Sequence, residues 1–326
     1  MPVTVEVPTE KWAGKVIEVK LGATKEEGGS RAGTVTVGGE TTLPFLTFEG
    51  AVPNPPVVAA EVWDTEPTDW SPVLLEAWGD AVKDPAVWAQ KAAALGAKLI
   101  ALKLRSADPD GKNASPAEAA ATVKRVLAAV GLPLLVYGPG QAEKDNDVLI
   151  AVAEAAAGER LALGLCEQSN YRTIVAACLG NGHVAMARAP IDVNMQKQLN
   201  ILISDMGLPL DRILMDPTTG GLGYGLEYTY SVMERLRFGA LQGDRMTQLP
   251  MINTVGEEAW RQKEAKVAEG VPEAWGDLAK RGLAWEVLTA TSVLEAGSDI
   301  VVLRHPEAIG IVNGATARSR SPCSRT

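Results

Sequence analysis

The sequence predicts an α/β protein built as a (β/α)8 TIM barrel with an N-terminal β-hairpin. Three observations point there. Eight short apolar runs alternate with longer helical stretches, both faces of each run are apolar, and no glycine-rich nucleotide turn follows the first run. The runs are 57–63, 99–104, 134–137, 161–165, 184–188, 213–216, 250–253 and 300–303, rich in Val, Ile and Leu. A doubly wound open sheet is the competing fold. It would place a G-x-G-x-x-G turn after its first strand, where this chain reads Asp64-Thr65-Glu66-Pro67-Thr68-Asp69-Trp70.

The helices between the runs carry their own start and stop signals. Ser115-Pro116-Ala117-Glu118 combines a capping side chain, a proline at the first helical position and an acid in the first turn, and Gly131 ends that helix. Asp192 caps another, which runs through Leu199 and Ile203 to Gly207, and Gly96, Gly158 and Gly297 act as stops elsewhere. Upstream of the barrel, 15–21 and 33–37 alternate apolar and polar residues across a glycine-rich connection. This reads as a hairpin capping one end of the barrel. The expected layout is an extension with the hairpin at 1–56, a barrel at 57–312 and a tail at 313–326. The basic, serine-rich end from Arg318 is expected to be disordered.

Composition excludes several function classes. The 326 residues are 46% hydrophobic, enough for one large core, and the net charge of −9 disfavours nucleic acid as a partner. No segment approaches the roughly 18 uninterrupted apolar residues of a membrane span, and the first nine residues do not read as a secretion signal, so a cytoplasmic protein is expected. Cys166, Cys178 and Cys323 are the only cysteines, fewer than an iron-sulfur cluster usually takes. His183 and His305 are the only histidines and lie far apart, so no self-contained metal site is expected.

Function in such a barrel sits at the C-terminal ends of the strands. The polar residues expected there are Asp64, Arg105, Glu167, Asn170, Arg188, Asp192, Asn194, Asp216, Thr218, Asn253, Arg304 and His305, and no Ser/His/Asp or Cys/His trio is legible among them. Glu167 and Asp216 could work as an acid/base pair; pairing of a carboxylate with Arg188, or capping of the next helix, is the structural alternative. After the sixth run, Gly220, Gly221, Gly223 and Gly225 expose backbone around Leu222 and Tyr224. They can cradle a phosphate, offer a flat landing for a large planar ligand, or simply turn the chain. Beyond Asp192, Asn194 and Gln198 share a polar helix face. Trp63, Trp70 and Trp78 cluster near the first βα loop as partner anchors or as core. His183 falls on the opposite, stability face, and His305 follows the last run.

Several stretches resemble one family over roughly residues 15 to 310. They include Leu21-Gly22-Ala23-Thr24-Lys25, Phe48-Glu49-Gly50, Trp88-Ala89-Gln90-Lys91, Ala107-Asp108-Pro109, Glu167-Gln168-Ser169-Asn170-Tyr171, the helix from Asp192 to Ile203, Gly220 through Gly225, Glu258-Ala259-Trp260-Arg261 and Arg304-His305-Pro306-Glu307-Ala308. The chain is similar to the small (delta) subunit of the corrinoid iron-sulfur protein of the CO dehydrogenase/acetyl-CoA synthase system. The resemblance implies a barrel without catalytic residues of its own, paired with a large subunit that carries the iron-sulfur cluster and most contacts to a cobalamin. A methyltetrahydrofolate methyltransferase would load the cobalt with a methyl group, and acetyl-CoA synthase would receive it. The residues expected on the corrinoid are Asp192, Asn194, Gln198, Thr218, Gly220, Gly221, Gly223, Tyr224, Glu167 and Asn170. The end of the chain departs from the family pattern at Asn313-Gly314, which puts the last helix in doubt. A pterin-dependent corrinoid methyltransferase is the competing function. A phosphate-binding aldolase or isomerase, with Lys103 as its only late-strand lysine, is the third.

Overall fold

The computed structural model describes residues 8–318. An antiparallel hairpin comes first, β1 (Val19–Leu21) and β2 (Val35–Val37), with Val19 opposite Val37. Eight parallel strands follow: β3 (Val57–Trp63), β4 (Leu99–Lys103), β5 (Leu134–Tyr137), β6 (Ala162–Cys166), β7 (Val184–Arg188), β8 (Ile213–Asp216), β9 (Ile252–Asn253) and β10 (Ile300–Leu303). Each pairs with its sequence neighbours, and β10 pairs with β3. The ring closes between β8 and β9, where Met215 bridges Met251 and its N–H donates to the Pro250 carbonyl at 2.8 Å.

Helices α1 (Pro72–Trp78) and α2 (Pro85–Ala94) follow β3. Next come α3 (Pro116–Ala129), α4 (Ala142–Ala155), α5 (Tyr171–Asn181), α6 (Val193–Asp205) and α7 (Leu226–Leu241), one after each strand from β4 to β8. The seventh unit carries α8 (Val255–Ala259), α9 (Lys263–Lys266) and α10 (Leu278–Glu295), and α11 (Pro306–Arg318) ends the described chain. The local signals work as the sequence proposes. The Ser115 hydroxyl and Glu118 form a reciprocal capping box at α3, and an Asp192 carboxylate oxygen accepts from the Met195 N–H at 2.8 Å at α6.

Side chains two apart on a strand share a face, and this sorts the barrel into two cores. Ala59, Leu99, Ala101, Leu135, Val184, Met186, Leu214, Ile300 and Val302 point inward and form one cluster with Val19, Leu21 and Val37 of the hairpin. The hairpin therefore plugs the N-terminal end of the barrel, as its alternation suggested. Buried Arg31 pins it there, donating to the Leu127 and Val130 carbonyls (both 2.7 Å) and pairing with Glu159 at 2.9 Å. The outward faces pack beneath the helices. His183 is buried at this same end, its Nδ1 accepting from the Leu161 N–H, and burial lowers its pKa.

Two expectations are corrected. The last helix runs through Asn313-Gly314 to Arg318, with the Asn313 amide donating to the Gly96 carbonyl at 3.0 Å, so the boundary drawn at 312 falls inside it. The remainder of the expected tail, with Cys323, lies outside the described residues, as do residues 1–7. Nor are Trp63, Trp70 and Trp78 exposed anchors: they are 8%, 5% and 0% exposed. They join Trp88 in a chain of edge-to-face contacts with centroids 5.3–5.6 Å apart, because the first βα connection brings Trp70 and Trp78 back against Trp88 of α2.

Beside the hairpin, Glu40 and Asp299 share the guanidinium of Arg237, which lies 3.4 Å from Glu40 and 2.8 Å from Asp299. Burial, reinforced by the Asp299 charge, pushes the Glu40 carboxyl up to about 8. Between its ordinary value of 4.5 and about 8, the folded chain keeps a proton that the unfolded chain releases. The stability this contributes is complete below the lower value and is lost as pH rises through the upper one. Glu40→Gln keeps the shape and removes the ionisation. Thermal melts across this window should show a shallower fall in Tm for the variant, which should be the more stable protein at the alkaline end. Parallel melting curves for the two would show that Glu40 ionises normally.

Candidate functional site

Continuing the period of two beyond the apolar interior brings polar residues to the C-terminal mouth: Glu61, Lys103, Arg188, Asp216 and Arg304. Glu61 is fully buried. Its Oε1 accepts from Arg304 Nε and Nη2 (3.0 and 2.8 Å) and from the Trp63 indole (2.6 Å), with Lys103 Nζ at 3.5 Å. Burial alone would raise the Glu61 pKa, but Arg304 and Lys103 outweigh it and hold the carboxyl below its ordinary value. Lys103 also bonds to Glu257 of α8, which takes a further bond from Arg261 at 2.7 Å. Burial likewise opposes the ionised form of Glu257, and Lys103 and Arg304 again overcome it.

Arg304 is held from every side. Its guanidinium lies 5.6 and 4.8 Å from the Trp63 and Trp70 ring centroids. Its backbone N–H and that of His305 donate to Glu286 of α10, which also accepts from the Trp260 indole at 2.8 Å. Burial pushes the Glu286 carboxyl up to about 7. His305 stacks on Trp260 at 5.9 Å. The first, second and eighth strands and two helices of the seventh unit thus share one ionic network.

The mouth keeps a polar recess of about 230 Å³ lined by Lys103, Tyr137, Arg188, Asp216 and Glu257. Beside it lies an open groove of about 520 Å³ between the loops after β6, β7 and β8. Met195, Leu199 and Leu202 give it an apolar side; Glu167, Gln168, Arg188, Gln198 and Thr218 give it a polar rim. Arg188 lies 3.9 Å from Glu167, so that carboxylate is part of an ion pair. The side chains of Gln168, Asn194 and Gln198 make no hydrogen bond among the described residues; Gln168 and Gln198 line the groove, while Asn194 is exposed on α6 outside its lining.

Of the residues singled out in the sequence, the structure brings Glu167, Gln198 and Thr218 together in the groove. Asp192 caps α6, the helix that carries Met195, Gln198 and Leu199. Asn170 is buried and braces the preceding loop, accepting from the Glu167 N–H at 2.8 Å and donating to the Leu165 carbonyl at 3.1 Å. Thr218 sits at φ 63°, a left-handed conformation that costs a β-branched residue roughly 1–3 kcal/mol. Its hydroxyl donates to the Ala189 carbonyl at 2.6 Å and its N–H to Asp216 at 3.0 Å, bonds that hold it there.

The glycine loop leans the other way, toward α10. The Leu222 carbonyl accepts from the Trp285 indole at 3.0 Å, and a Cβ on Gly221 would lie 2.5 Å from the Gln262 amide nitrogen. A Cβ on Gly220 would lie 2.4 Å from the Gly225 carbonyl oxygen, and Gly223 and Gly225 have φ of +82° and +97°. These glycines serve the closure of their own loop. Its tip, Tyr224, is 80% exposed.

The sequence reading missed Glu61, Glu257 and Glu286. A signal for the first was present: a carboxylate in the middle of a run otherwise apolar on both faces must be paired when buried. Lys103, whose orientation the sequence leaves open, faces the mouth between two carboxylates. Its Nζ is held by both, which leaves no free amine for a Schiff-base role.

A family model described as the CO dehydrogenase/acetyl-CoA synthase delta subunit matches residues 18–318. The acetyl-CoA decarbonylase/synthase complex subunit delta of Archaeoglobus fulgidus is 38% identical over 309 residues, covering 93% of this chain and 68% of that protein. Its counterpart from Methanopyrus kandleri is 40% identical over 301 residues, covering 92% and 74%. Among solved structures, a dihydropteroate synthase from Xanthomonas albilineans superposes with a TM-score of 0.56 at 16% identity, covering 86% of this chain and all of that one. This likeness is one of fold alone.

The ionic network predicts its own mutational signature. Glu61→Ala leaves Arg304 and Lys103 without their shared buried partner and should cost about 3–5 kcal/mol. Urea denaturation measures this. A loss under about 1 kcal/mol, the range of exposed pairs, would mean that water reaches these cations in the folded protein.

Proposed function

Because this chain belongs to the family of the CO dehydrogenase/acetyl-CoA synthase delta subunit, we propose that it is the non-catalytic barrel subunit of a heterodimeric methyl carrier, holding one side of a corrinoid. The observation that carries this reading is the groove, with its apolar side and its unpartnered side-chain amides. A corrinoid is a broad, flat ligand with apolar surface and a rim of amides. It needs an open wall with free amides more than an enclosed cavity. The group supplies a cobalt that carries a methyl group from a donor to an acceptor.

This chain's own residues bind and position. Gln168, Asn194 and Gln198 pair with rim amides, while Met195, Leu199 and Leu202 pack on the edge between them. Asp192 and Asn170 fix α6 and the loop after β6, and Thr218 with Glu167 sets the opposite rim. Gly220, Gly221 and Gly223 present Tyr224 as a separate aromatic contact farther round. Asp216 is buried, and burial raises its pKa, while Glu61 and Glu257 are committed to cations. The two glutamates, held by their cations, are not free for proton transfer.

The iron-sulfur cluster falls to the large subunit on this reading. Burial raises the Cys166 thiol well above its ordinary value and pushes Cys178 up to about 12, which makes both poor cluster ligands. The further partners are a methyltetrahydrofolate methyltransferase and acetyl-CoA synthase, and no nucleic acid or membrane. Among the described residues no helix is long and apolar enough to cross a membrane. The competing pterin-dependent methyltransferase would methylate free cob(I)alamin from methyltetrahydrofolate with no second protein present.

Asn194→Ala with Gln198→Ala tests the reading, since neither side chain supports the fold. In the heterodimer the double variant should hold corrinoid about 1–3 kcal/mol less tightly at unchanged Tm. The visible absorbance retained after dialysis measures this. A variant that retains corrinoid as tightly as the wild type places the contact elsewhere on the rim.

A further inference from the structure

We propose that the tryptophan-walled side of the barrel mouth, away from the groove, is a binding pocket for a small oxyanion, a phosphate or carboxylate group. The pocket encloses about 180 Å³ between the loops after β3, β4, β9 and β10, room for several waters or one such anion. Its walls are Trp63, Trp70 and Trp260.

The lining is cationic in a chain whose net charge is −9. Lys103, Arg105, Arg261, Lys266 and Arg304 line it with the carboxylates of Asp69 and Glu257, and behind the lining Arg105 pairs with Asp108, Arg261 with Glu258 and Arg304 with Glu61. Glu257 is engaged by Lys103 and Arg261, and Asp69 is exposed. Two cationic groups keep unused capacity: Lys266 makes no ion pair, and Arg304 Nη1 no hydrogen bond, among the described residues.

Unanswered donors supply the second argument. The Trp70 indole N–H and the Ser71 hydroxyl are both buried, both belong to residues lining the pocket, and neither finds a partner. Ser71 occupies the position before α1 but its side chain caps nothing. A buried hydroxyl and indole left unpaired cost stability, so a site that keeps them beside a guanidinium is built to hydrogen-bond something else. That partner must accept: the Trp70 and Ser71 donors, the free edge of Arg304 and the unpaired ammonium of Lys266 match the oxygens of an oxyanion. Position agrees, because the loops after the seventh and eighth strands are where barrels of this class commonly hold phosphate. Here Trp260 and Arg261 follow the seventh strand and Arg304 ends the eighth. Arg304 is also preorganised, with Nε and Nη2 fixed on Glu61 and its plane held over two indoles.

The test titrates the full-length chain with sodium phosphate and, separately, sodium acetate by calorimetry, with tryptophan fluorescence alongside. Sodium chloride at matched ionic strength is the control. Saturable binding of phosphate or of acetate is expected, and which of the two binds more tightly identifies the anion class. Ser71→Ala and Lys266→Glu should each weaken binding about tenfold, or 1.4 kcal/mol. Ser71→Ala should not lower the anion-free Tm, whereas a hydroxyl with a merely structural role would. Lys266 is exposed and its substitution does not disturb the core, which keeps the test sound if the serine variant folds poorly. The proposal is overturned if chloride reproduces the signal, or if neither substitution changes the affinity.

Discussion

The contact between Glu61 and Arg304 governs the working end of this barrel. It joins the first strand to the eighth, where β3 and β10 complete their pairing. A lone carboxylate at that depth would be untenable. Arg304 is equally dependent, since its charge is buried among indoles and answered by Glu61. Each makes the other possible, and Lys103 extends the pair across the mouth to Glu257. Glu286 then fixes the backbone from which Arg304 projects. The tryptophan chain follows from the same constraint, because Trp63 and Trp70 cover the guanidinium while α1 and α2 close over them.

Much of this was legible in advance and some was not, for physical reasons. Strand and helix order follow from hydrophobic periodicity and caps, which are local signals. The capping box at Ser115 and the Asp192 cap formed as read. The plug of Val19, Leu21 and Val37 also follows from alternation. Glu61 escaped notice because its run was scored by its apolar average, while the informative residue was the exception. The sequence left the tryptophans between anchors and core because a rim position says nothing about how the following loop folds. Here α1 turns back and buries them. At Asn313-Gly314, residues that disfavour a helix singly are overridden by docking, since Asn313 reaches the Gly96 carbonyl.

The candidate ligand residues divided in a similar way. Glu167, Thr218 and Gln198 converge because the loops after adjacent parallel strands must converge. The glycine loop shares that origin but not that destination, since Trp285 and Gln262 draw it toward α10. The sequence left the four glycines open as room for a ligand or as plain turns. Two have positive φ and a third lies beneath a carbonyl, so the loop's own turns account for them. Composition can flag such a segment, but only the backbone path says what it faces.

A barrel mouth filled by ion pairs has a consequence for how a ligand is held. Replacing buried pairs by apolar side chains is often neutral or stabilising, so stability alone is weak grounds for this network. What it does impose is shape. With Lys103, Glu257 and Arg261 bridged across it, the mouth keeps only a polar recess of about 230 Å³ bounded by Tyr137, Arg188 and Asp216, too small for a macrocycle, and two further spaces lie at its margins. One margin, the open groove, is broad and carries free neutral amides. The other is small, walled by aromatics and charged. A flat macrocycle held between two proteins needs a wall it can lie against, not a hole it must enter. A compact anion needs the reverse, a confined place with fixed donors. The same ionic bridge that denies the mouth to the first kind of ligand builds the enclosure for the second, so the two surfaces are consequences of one arrangement of charge.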